Sequence, residues 1–276
     1  MGGLTSLSQR NWGKDMGVTR SHPSGTASEV IVRTETVSVS SVTDINASLT
    51  PSSGTVSISD NKVVNGMLNG WKVSDPQSGI DGLTDDGNKF RISFLSCSGN
   101  AEWAHTSGVC EKQPILLYPK PVMGDFTFEV KFTGASSGAA LRHIYVGTFT
   151  VPSNGAGDTP DWSHHMGARF GRWQSANGAP RAAFCTSAGS KSVTITAQAW
   201  DQDHWLKVQR SEETITMSHK YGSGSYAAIT TGDKMDIGGG ATNLGIGVMT
   251  TSGSGSEDYV DILSVSLTSH EWTASP

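Results

Sequence analysis

The residues best suited to ligand chemistry are concentrated between positions 158 and 173. This stretch combines indole rings, imidazoles and guanidinium groups; its candidate carbohydrate-binding residues are Trp162, His164, Arg169 and Trp173, with Trp103 in a separate loop at 100–105. Aromatic faces stack on the C–H surfaces of sugars and planar cationic donors bind hydroxyl groups, so the mixture favours a glycan site on a loop carried by a rigid scaffold. The alternative is that Trp162 closes the edge of the fold and Trp103 packs beneath a neighbouring loop.

The sequence gives little support for a metal centre. The adjacent His164 and His165 would point to opposite sides of an extended strand, which makes them poor joint ligands. Three aspartates beside two glycines have a calcium-like composition without the spacing of an EF-hand: Asp81, Asp85, Asp86, Gly82 and Gly87. We therefore expect no cofactor, with calcium kept as an alternative.

Patterns for catalysis on polysaccharides are incomplete. Retaining hydrolysis needs two carboxylates about 5 Å apart, and the acidic cluster at 257–261 has the wrong spacing and is expected at a turn. Lyases that act by β-elimination use Tyr or His as base and acid, with Arg neutralising the uronate carboxylate. In the run 142–145, alternation places His143 and Tyr145 on one face of a strand and Arg142 and Ile144 on the other. We expect no catalytic residues, and lyase or hydrolase activity stays an alternative.

The elements that would position these residues are short β-strands. Apolar and polar residues alternate strictly along 124–132, the run 204–210 followed by 213–217 is a second strong strand signal, and turn residues separate most of the other candidates. After Trp71 we predict strands at 89–95, 115–118, 125–133, 140–151, 166–173, 181–185, 192–199, 204–210, 214–220, 225–230, 243–250 and 260–267. This regular punctuation predicts an all-β, two-sheet antiparallel jelly-roll β-sandwich with an extended N-terminal arm.

Composition narrows the classes of function. The chain of 276 residues contains 33 Gly and has 16% charged residues and a formal net charge of −5, without the basic stripe of a nucleic-acid binder. No apolar run approaches the roughly 20 residues that span a bilayer, and the N-terminus lacks the apolar segment of a secretory signal, so we expect no membrane insertion. Reduced thiols are the simple interpretation of Cys97, Cys110 and Cys185, although Cys97 and Cys110 could pair across a loop.

The order of these features resembles the concanavalin A-like lectin/glucanase superfamily, a laminin-G-like jelly roll, and in particular its poorly characterised bacterial and phage branch. The matching features are Trp71, the loop with Trp103, the strand at 124–132, the run 205–210 and the closing strands at 244–248 and 259–267. The resemblance covers about two-thirds of the chain. Relatives often carry Ser-x-Asp-Gly-x-x-Trp after the Ile215 strand, and here the segment 220–226 keeps the glycines but lacks the Asp and Trp. We expect Trp205, Leu206 and Val208 to supply apolar groups to the core.

These observations predict three segments: an extended arm at 1–30, a short β-rich linker or set of platform strands at 31–65, and a concanavalin A-like jelly-roll domain at 66–270. Whether 31–65 joins the main sandwich is left open. Because the fold is lectin-like, catalytic spacing is missing and the polar arm has no export signal, we predict a non-enzymatic protein of a bacteriophage particle.

On that interpretation, a decoration, fibre or tail-associated protein would lie on the virion surface. Its arm would add strands to neighbouring virion proteins or to further copies of itself as a homo-oligomer. Its partners could include surface glycans but neither nucleic acid nor membranes. The alternative is a secreted, extracellular carbohydrate-binding module.

Overall fold

The protein is an all-β chain in a computed structural model that describes residues 39–76, 78–95, 114–134, 141–150, 161–172, 177–184, 198–212, 214–234, 242–251 and 258–274. At some positions, mainly near strand ends, only the backbone is described. Seventeen strands and no helix occur in these ranges. The predicted all-β class is confirmed. No helix in the described ranges is long and apolar enough to cross a bilayer.

The strands follow one another in chain order. They are β1 (Val39–Leu49), β2 (Ser57–Ser59), β3 (Lys62–Val64), β4 (Lys72–Ser74), β5 (Ile80–Asp85), β6 (Phe90–Phe94), β7 (Ile115–Leu117), β8 (Val122–Gly134), β9 (Leu141–Thr150), β10 (Asp161–Arg172), β11 (Asn177–Phe184), β12 (Gln198–Ala199), β13 (His204–Ser211), β14 (Thr214–Tyr221), β15 (Ala227–Lys234), β16 (Thr242–Thr251) and β17 (Asp258–Ala274).

The first sheet is built around β17. One side of β17 pairs with β8, and the sheet continues through β13, β14 and β15. The other side of β17 pairs with β6 near its start and with β1 near its end, and β5 lies beyond β6. The β1 pairing brings Val39 opposite Ala274. Residues 39–49 are therefore part of this sheet, and the arm at 1–30 lies outside the described residues.

The second sheet follows the order β4, β7, β16, β9, β10, β11 and β12, and all of its pairings are antiparallel. The hairpin of β2 and β3 joins it through Lys62 and Lys72. Thr242 of β16 also pairs with Val122 of β8, which links the two sheets at one corner. The predicted two-sheet sandwich is confirmed, and its jelly-roll connectivity stays a prediction.

The core lies between the inner faces of the two sheets. Strand β8 contributes Phe128 and Phe132, and β13 contributes Leu206, while β9 contributes Ile144 and β10 contributes Phe170; each is fully buried. Burying a side chain of this size stabilises the fold by roughly 1.5–3 kcal/mol before entropy is counted. Period-two alternation of these side chains is what holds each strand in register.

Two expectations about local placement are wrong. Trp205 is not a core residue: the burial of β13 alternates from His204, so Leu206 and Val208 face inward and Trp205 faces outward. Trp200 fills the core instead and is 1% exposed. The acidic cluster is not at a turn along its described length, because Asp258 begins β17 and both Asp258 and Asp261 are 4% exposed.

Candidate functional site

The structure describes only part of the predicted carbohydrate site. Trp103 and Trp173 lie outside the described residues. Trp162 and His164 lie on β10, but only their backbone is described. Arg169 is fully placed: it is 2% exposed and lies on the face of the second sheet opposite the core. The convergence of these five residues therefore stays a prediction.

Arg169 belongs to a face of the second sheet that is paved with glycine. It pairs in register with Tyr145, and His143 lies two residues earlier on the same face. Ile144, between them, enters the core, which agrees with the alternation expected for 143–145, and the side chain of Arg142 lies outside the described residues. A Cβ atom on Gly167 would lie 2.6 Å from Cζ of Tyr145, and one on Gly171 would overlap the His143 ring. Glycine is favoured at both positions because the neighbouring ring occupies the space of a Cβ atom.

The glycine-paved face, defined by His143, Tyr145 and Arg169, is enclosed. The exposed fractions of these side chains are 5%, 0% and 2%. The Tyr145 hydroxyl donates a hydrogen bond to the carbonyl oxygen of Thr148, at 3.1 Å. A phenol, an imidazole and a guanidinium on one face could move protons and neutralise a carboxylate, provided that the enclosing chain opens.

The outer face of the first sheet is open and carries an aromatic ring between two lysines. Trp205 on β13 lies opposite Lys131 on β8 and Lys220 on β14. The Nζ atoms of Lys131 and Lys220 lie 4.9 and 4.0 Å from the centroid of the indole. Lys131 also forms an ion pair with Asp203, at 2.7 Å. Cross-strand register therefore builds this cation–aromatic group from three separate strands.

A second ring lies beside the first. Tyr226 is 36% exposed, and its centroid lies 3.9 Å from Nζ of Lys207 and 5.8 Å from Nζ of Lys220. The Tyr226 hydroxyl donates a hydrogen bond to Oε2 of Glu129. Burial, followed by this hydrogen bond, raises the pKa of Tyr226 well above its usual value. Tyr226 therefore stays a neutral donor near neutral pH.

The turn between β14 and β15 positions Tyr226. Gly222 has a φ of 53° and donates its N–H to the carbonyl of Asp203, at 2.9 Å. Gly224 donates to the carbonyl of Tyr221, at 3.0 Å. Glycine adopts a positive φ without steric conflict because it has no Cβ atom. The turn therefore reverses the chain direction with little backbone strain. We call Trp205, Tyr226, Lys131, Lys207 and Lys220 the aromatic–lysine face.

Two aspartates considered for calcium have other partners. The Asp85 carboxylate accepts backbone hydrogen bonds from Ser52, Met67 and Gly87, at 3.0, 2.8 and 3.1 Å. The Asp86 carboxylate accepts from the amides that follow it, and these hydrogen bonds lower its pKa. The described residues contain no group of three or more potential metal ligands. The Asp85 carboxylate joins separate backbone segments, and the Asp86 carboxylate holds the local turn that follows it.

The acidic residue Asp261 is held by a long-range ion pair. Arg91 on β6 donates from Nε and Nη2 to the two carboxylate oxygens, at 2.6 and 2.9 Å. Lys89 approaches within 3.4 Å, and the Arg91 guanidinium lies 3.6 Å from the Tyr259 centroid. The hydrogen bonds that Arg91 donates to the Asp261 carboxylate raise the pKa of Arg91. This geometry gives Asp261 a role in joining β6 to β17.

The sandwich core also contains a histidine pair. His204 Nε2 donates to the carbonyl of Ala199 at 2.8 Å, so its Nδ1 atom accepts from His219 Nε2 at 3.1 Å. The Phe170 ring lies 4.2 Å from His204 and 5.4 Å from His219 between centroids. Burial lowers the pKa of His204 to about 4 and that of His219 to about 3. Both rings are therefore neutral near neutral pH.

Comparison with known proteins shows that this chain resembles some solved structures in fold. No protein-family model and no curated protein match this sequence. The chain is similar to a GH43 glycoside hydrolase engineered for endo-xylanase and exo-arabinofuranosidase activity, at 12% identity and a TM-score of 0.51, covering 80% of this chain and 42% of that one.

Two other solved structures are more distant. The xylan β-1,4-xylosidase from Bacillus halodurans C-125 is 10% identical, with a TM-score of 0.47 and coverage of 91% of this chain and 41% of that one. A functionally unknown protein from Saccharomyces cerevisiae is 9% identical, with a TM-score of 0.38 and coverage of 75% and 97%. This chain spans less than half of each hydrolase. The likeness at a TM-score of 0.51 shows a shared β-fold.

Sequence reasoning missed the aromatic–lysine face. Adjacent residues of a strand point to opposite faces, so a strand at 204–210 with Leu206 in the core places Trp205 on the outer face. The outward direction of Trp205 could therefore have been predicted. The segment 220–226 stood out only as a departure from the superfamily pattern. What the sequence lacks is the register that sets Lys131 and Lys220 on either side of Trp205, because these residues come from separate parts of the chain.

Proposed function

We propose that this chain is a non-enzymatic carbohydrate-binding β-sandwich protein that binds glycans on its aromatic–lysine face. The observation that carries the proposal is Trp205, a half-buried indole on the outer face of a rigid sheet. Tyr226 provides a second ring, and lysines surround both. A sugar presents an apolar C–H face and polar hydroxyl groups. Aromatic rings can stack on the C–H face, and neighbouring polar donors can bind the hydroxyl groups.

The fold likeness supports the same class of ligand. One protein with a similar fold acts as an endo-xylanase and exo-arabinofuranosidase, although this chain corresponds to 42% of it. We therefore take xylan and arabinoxylan fragments as the first neutral probes. An extracellular setting agrees with this proposal as well as a virion surface does.

Calorimetry with a panel of oligosaccharides tests the proposal. We expect Trp205→Ala to weaken binding about tenfold, because losing an aromatic contact costs on the order of 1 kcal/mol. The matched control is Ile58→Ala, which removes an exposed apolar side chain, 42% exposed, on β2. Unchanged affinity in Trp205→Ala, with the control also unchanged, would refute the site.

We also propose the virion-surface role, with the arm at 1–30 as the anchor. The support is that β1 is an edge strand: among the described residues it pairs with β17 alone. Its outer edge is therefore able to accept a strand from a neighbouring virion protein or a second copy. Native mass spectrometry of the full chain and of a chain without 1–30 tests this. Identical monomers would refute the anchor.

An enzymatic alternative has one specific observation in its favour. His143, Tyr145 and Arg169 share the glycine-paved face, and these are residue types that β-elimination of uronates requires. Lyase activity predicts unsaturated products from an acidic polysaccharide and their loss in Tyr145→Phe. The absence of unsaturated products from a broad panel would exclude this alternative.

A further inference from the structure

We propose that the ligand of the aromatic–lysine face is an acidic glycan whose sugars carry carboxylates, an inference that rests on the proposed function. The face contains three ammonium groups in contact with two rings. A neutral sugar would use the rings and offer the ammonium groups only hydroxyl acceptors, whereas a uronic acid would also offer Lys207 and Lys220 a carboxylate.

The three lysines of this face differ in whether an acidic side chain neutralises their charge. Lys131 has Asp203 as an ion-pair partner. Within the described part of the chain, neither Lys207 nor Lys220 has an acidic side chain at ion-pairing distance. Glu129 is the cross-strand neighbour of Lys207, but its Oε2 atom accepts the hydrogen bond of Tyr226. Two positive charges are therefore available on a protein whose formal net charge is −5.

The positions of these charges fit a sugar acid. The Lys220 ammonium lies 4.0 Å from the Trp205 centroid and 5.8 Å from the Tyr226 centroid, so one cation serves both rings. A pyranose stacked on either ring would place a ring carboxylate within reach of Lys220 or Lys207. An exposed cation–π contact is weak, and a charge-assisted hydrogen bond to a carboxylate is stronger. The lysines would therefore move from ring to ligand on binding.

The same face can accommodate a chain of sugars. Neutral donors and acceptors continue from the aromatic–lysine face along the outward positions of β8, β13 and β14: Thr127, Gln209, Thr216 and Ser218. Gln209 already donates to the Thr127 hydroxyl, at 3.2 Å. These hydroxyl and amide groups extend the polar surface beyond Trp205, Tyr226 and their lysines. The extended surface favours a polysaccharide chain that lies across the strands.

The test compares hexagalacturonate with neutral xylohexaose and a single-stranded oligonucleotide, by calorimetry at two salt concentrations. We expect hexagalacturonate to bind at least tenfold more tightly than xylohexaose, with an affinity that falls as salt rises. The double variant Lys207→Gln/Lys220→Gln should lose this preference, so that the two hexasaccharides bind with similar affinity. Lys62→Gln, an exposed lysine on β3, is the control and should retain the preference.

Three results would overturn the inference. Equal affinity for both hexasaccharides, abolished in Trp205→Ala, would refute the acidic ligand and leave the proposed function intact. Tighter binding of the oligonucleotide than of hexagalacturonate would identify a nucleic-acid surface instead. No binding of any saccharide in a broad panel would refute both the inference and the proposed function.

Discussion

The Nδ1 atom of His204 lies 3.1 Å from the Nε2 atom of His219, inside the aromatic core of the sandwich. Phe132 stacks on His204 with centroids 5.3 Å apart, and Tyr221 lies at the same distance on another side. Asp201 and Asp203 are the charged groups that act on His204, and they favour its protonated form without overcoming burial. The pair is therefore neutral in the folded protein.

This pair predicts acid sensitivity. The folded pKa values are about 4 and about 3, below the ordinary value of 6.5, so the unfolded chain binds more protons between these limits. The stability that the neutral pair contributes is complete above pH 6.5 and is lost as pH falls toward 4, by on the order of a few kcal/mol.

Urea unfolding as a function of pH measures this loss. His219→Phe should flatten the free energy of unfolding between pH 4 and 6.5, because one titrating group is gone. A free energy that is equally steep in His219→Phe would show that other groups cause the acid sensitivity.

The hydrogen bonds accepted by Asp85 predict that its removal lowers the stability of the fold and leaves glycan binding unchanged. Asp85→Ala leaves the amides of Ser52, Met67 and Gly87 without their acceptor, and we expect a loss of about 3 kcal/mol in the free energy of unfolding. Asp81→Ala is the control, since Asp81 is an exposed carboxylate on the same strand. Equal losses in the two variants would contradict this role, as would a stabilisation of the unmodified protein by calcium that Asp85→Ala abolishes.

The glycine-paved face predicts sensitivity to a single methyl group. Gly167→Ala would place its Cβ 2.6 Å from Cζ of Tyr145, and we expect a cost of about 1–3 kcal/mol from the forced displacement. In Gly82→Ala the added Cβ meets nothing within 4 Å, so that variant should be close to neutral. Thermal denaturation of the two variants provides the comparison. Similar melting temperatures would mean that Tyr145 moves freely.

The two nearby tryptophans should behave differently. Trp200 is 1% exposed between Phe132 and Phe170, so Trp200→Ala should destabilise the protein by about 3–5 kcal/mol. Trp205→Ala removes a half-buried ring from the outer face and should cost about 1 kcal/mol or less. Chemical denaturation measures both, and a larger loss for Trp205 would place that ring in the core after all.

Strands with a strong local strand signal were predictable from the sequence. The interval 204–210 corresponds to His204–Ser211, and 214–220 corresponds to Thr214–Tyr221. Strand β5, Ile80–Asp85, was missed because its Gly and Asp residues are typical of a turn. Its pairing with β6 overrides that local preference. Propensity describes a segment alone, whereas strand formation depends on the partner.

The functional surface was harder to predict than the fold. The facing of His143 and Tyr145 follows from alternation and was correct. The role of Asp261 depends on Arg91, which is 170 residues away, and no local pattern reveals such a partner. The grouping of Trp205 with Lys131 and Lys220 has the same origin, because it exists only once three strands are in register.

The pairing of Val39 with Ala274 has a mechanical consequence. Both ends of the described chain leave the sandwich at the same corner, an arrangement that tolerates insertion into a loop of another protein. A pulling force applied between these two ends would break the β1–β17 hydrogen bonds one after another, starting from that corner. Held by both ends, the sandwich would peel open at a low force and release β1, with its core-packed Ile45 and Leu49, before the other strands separate.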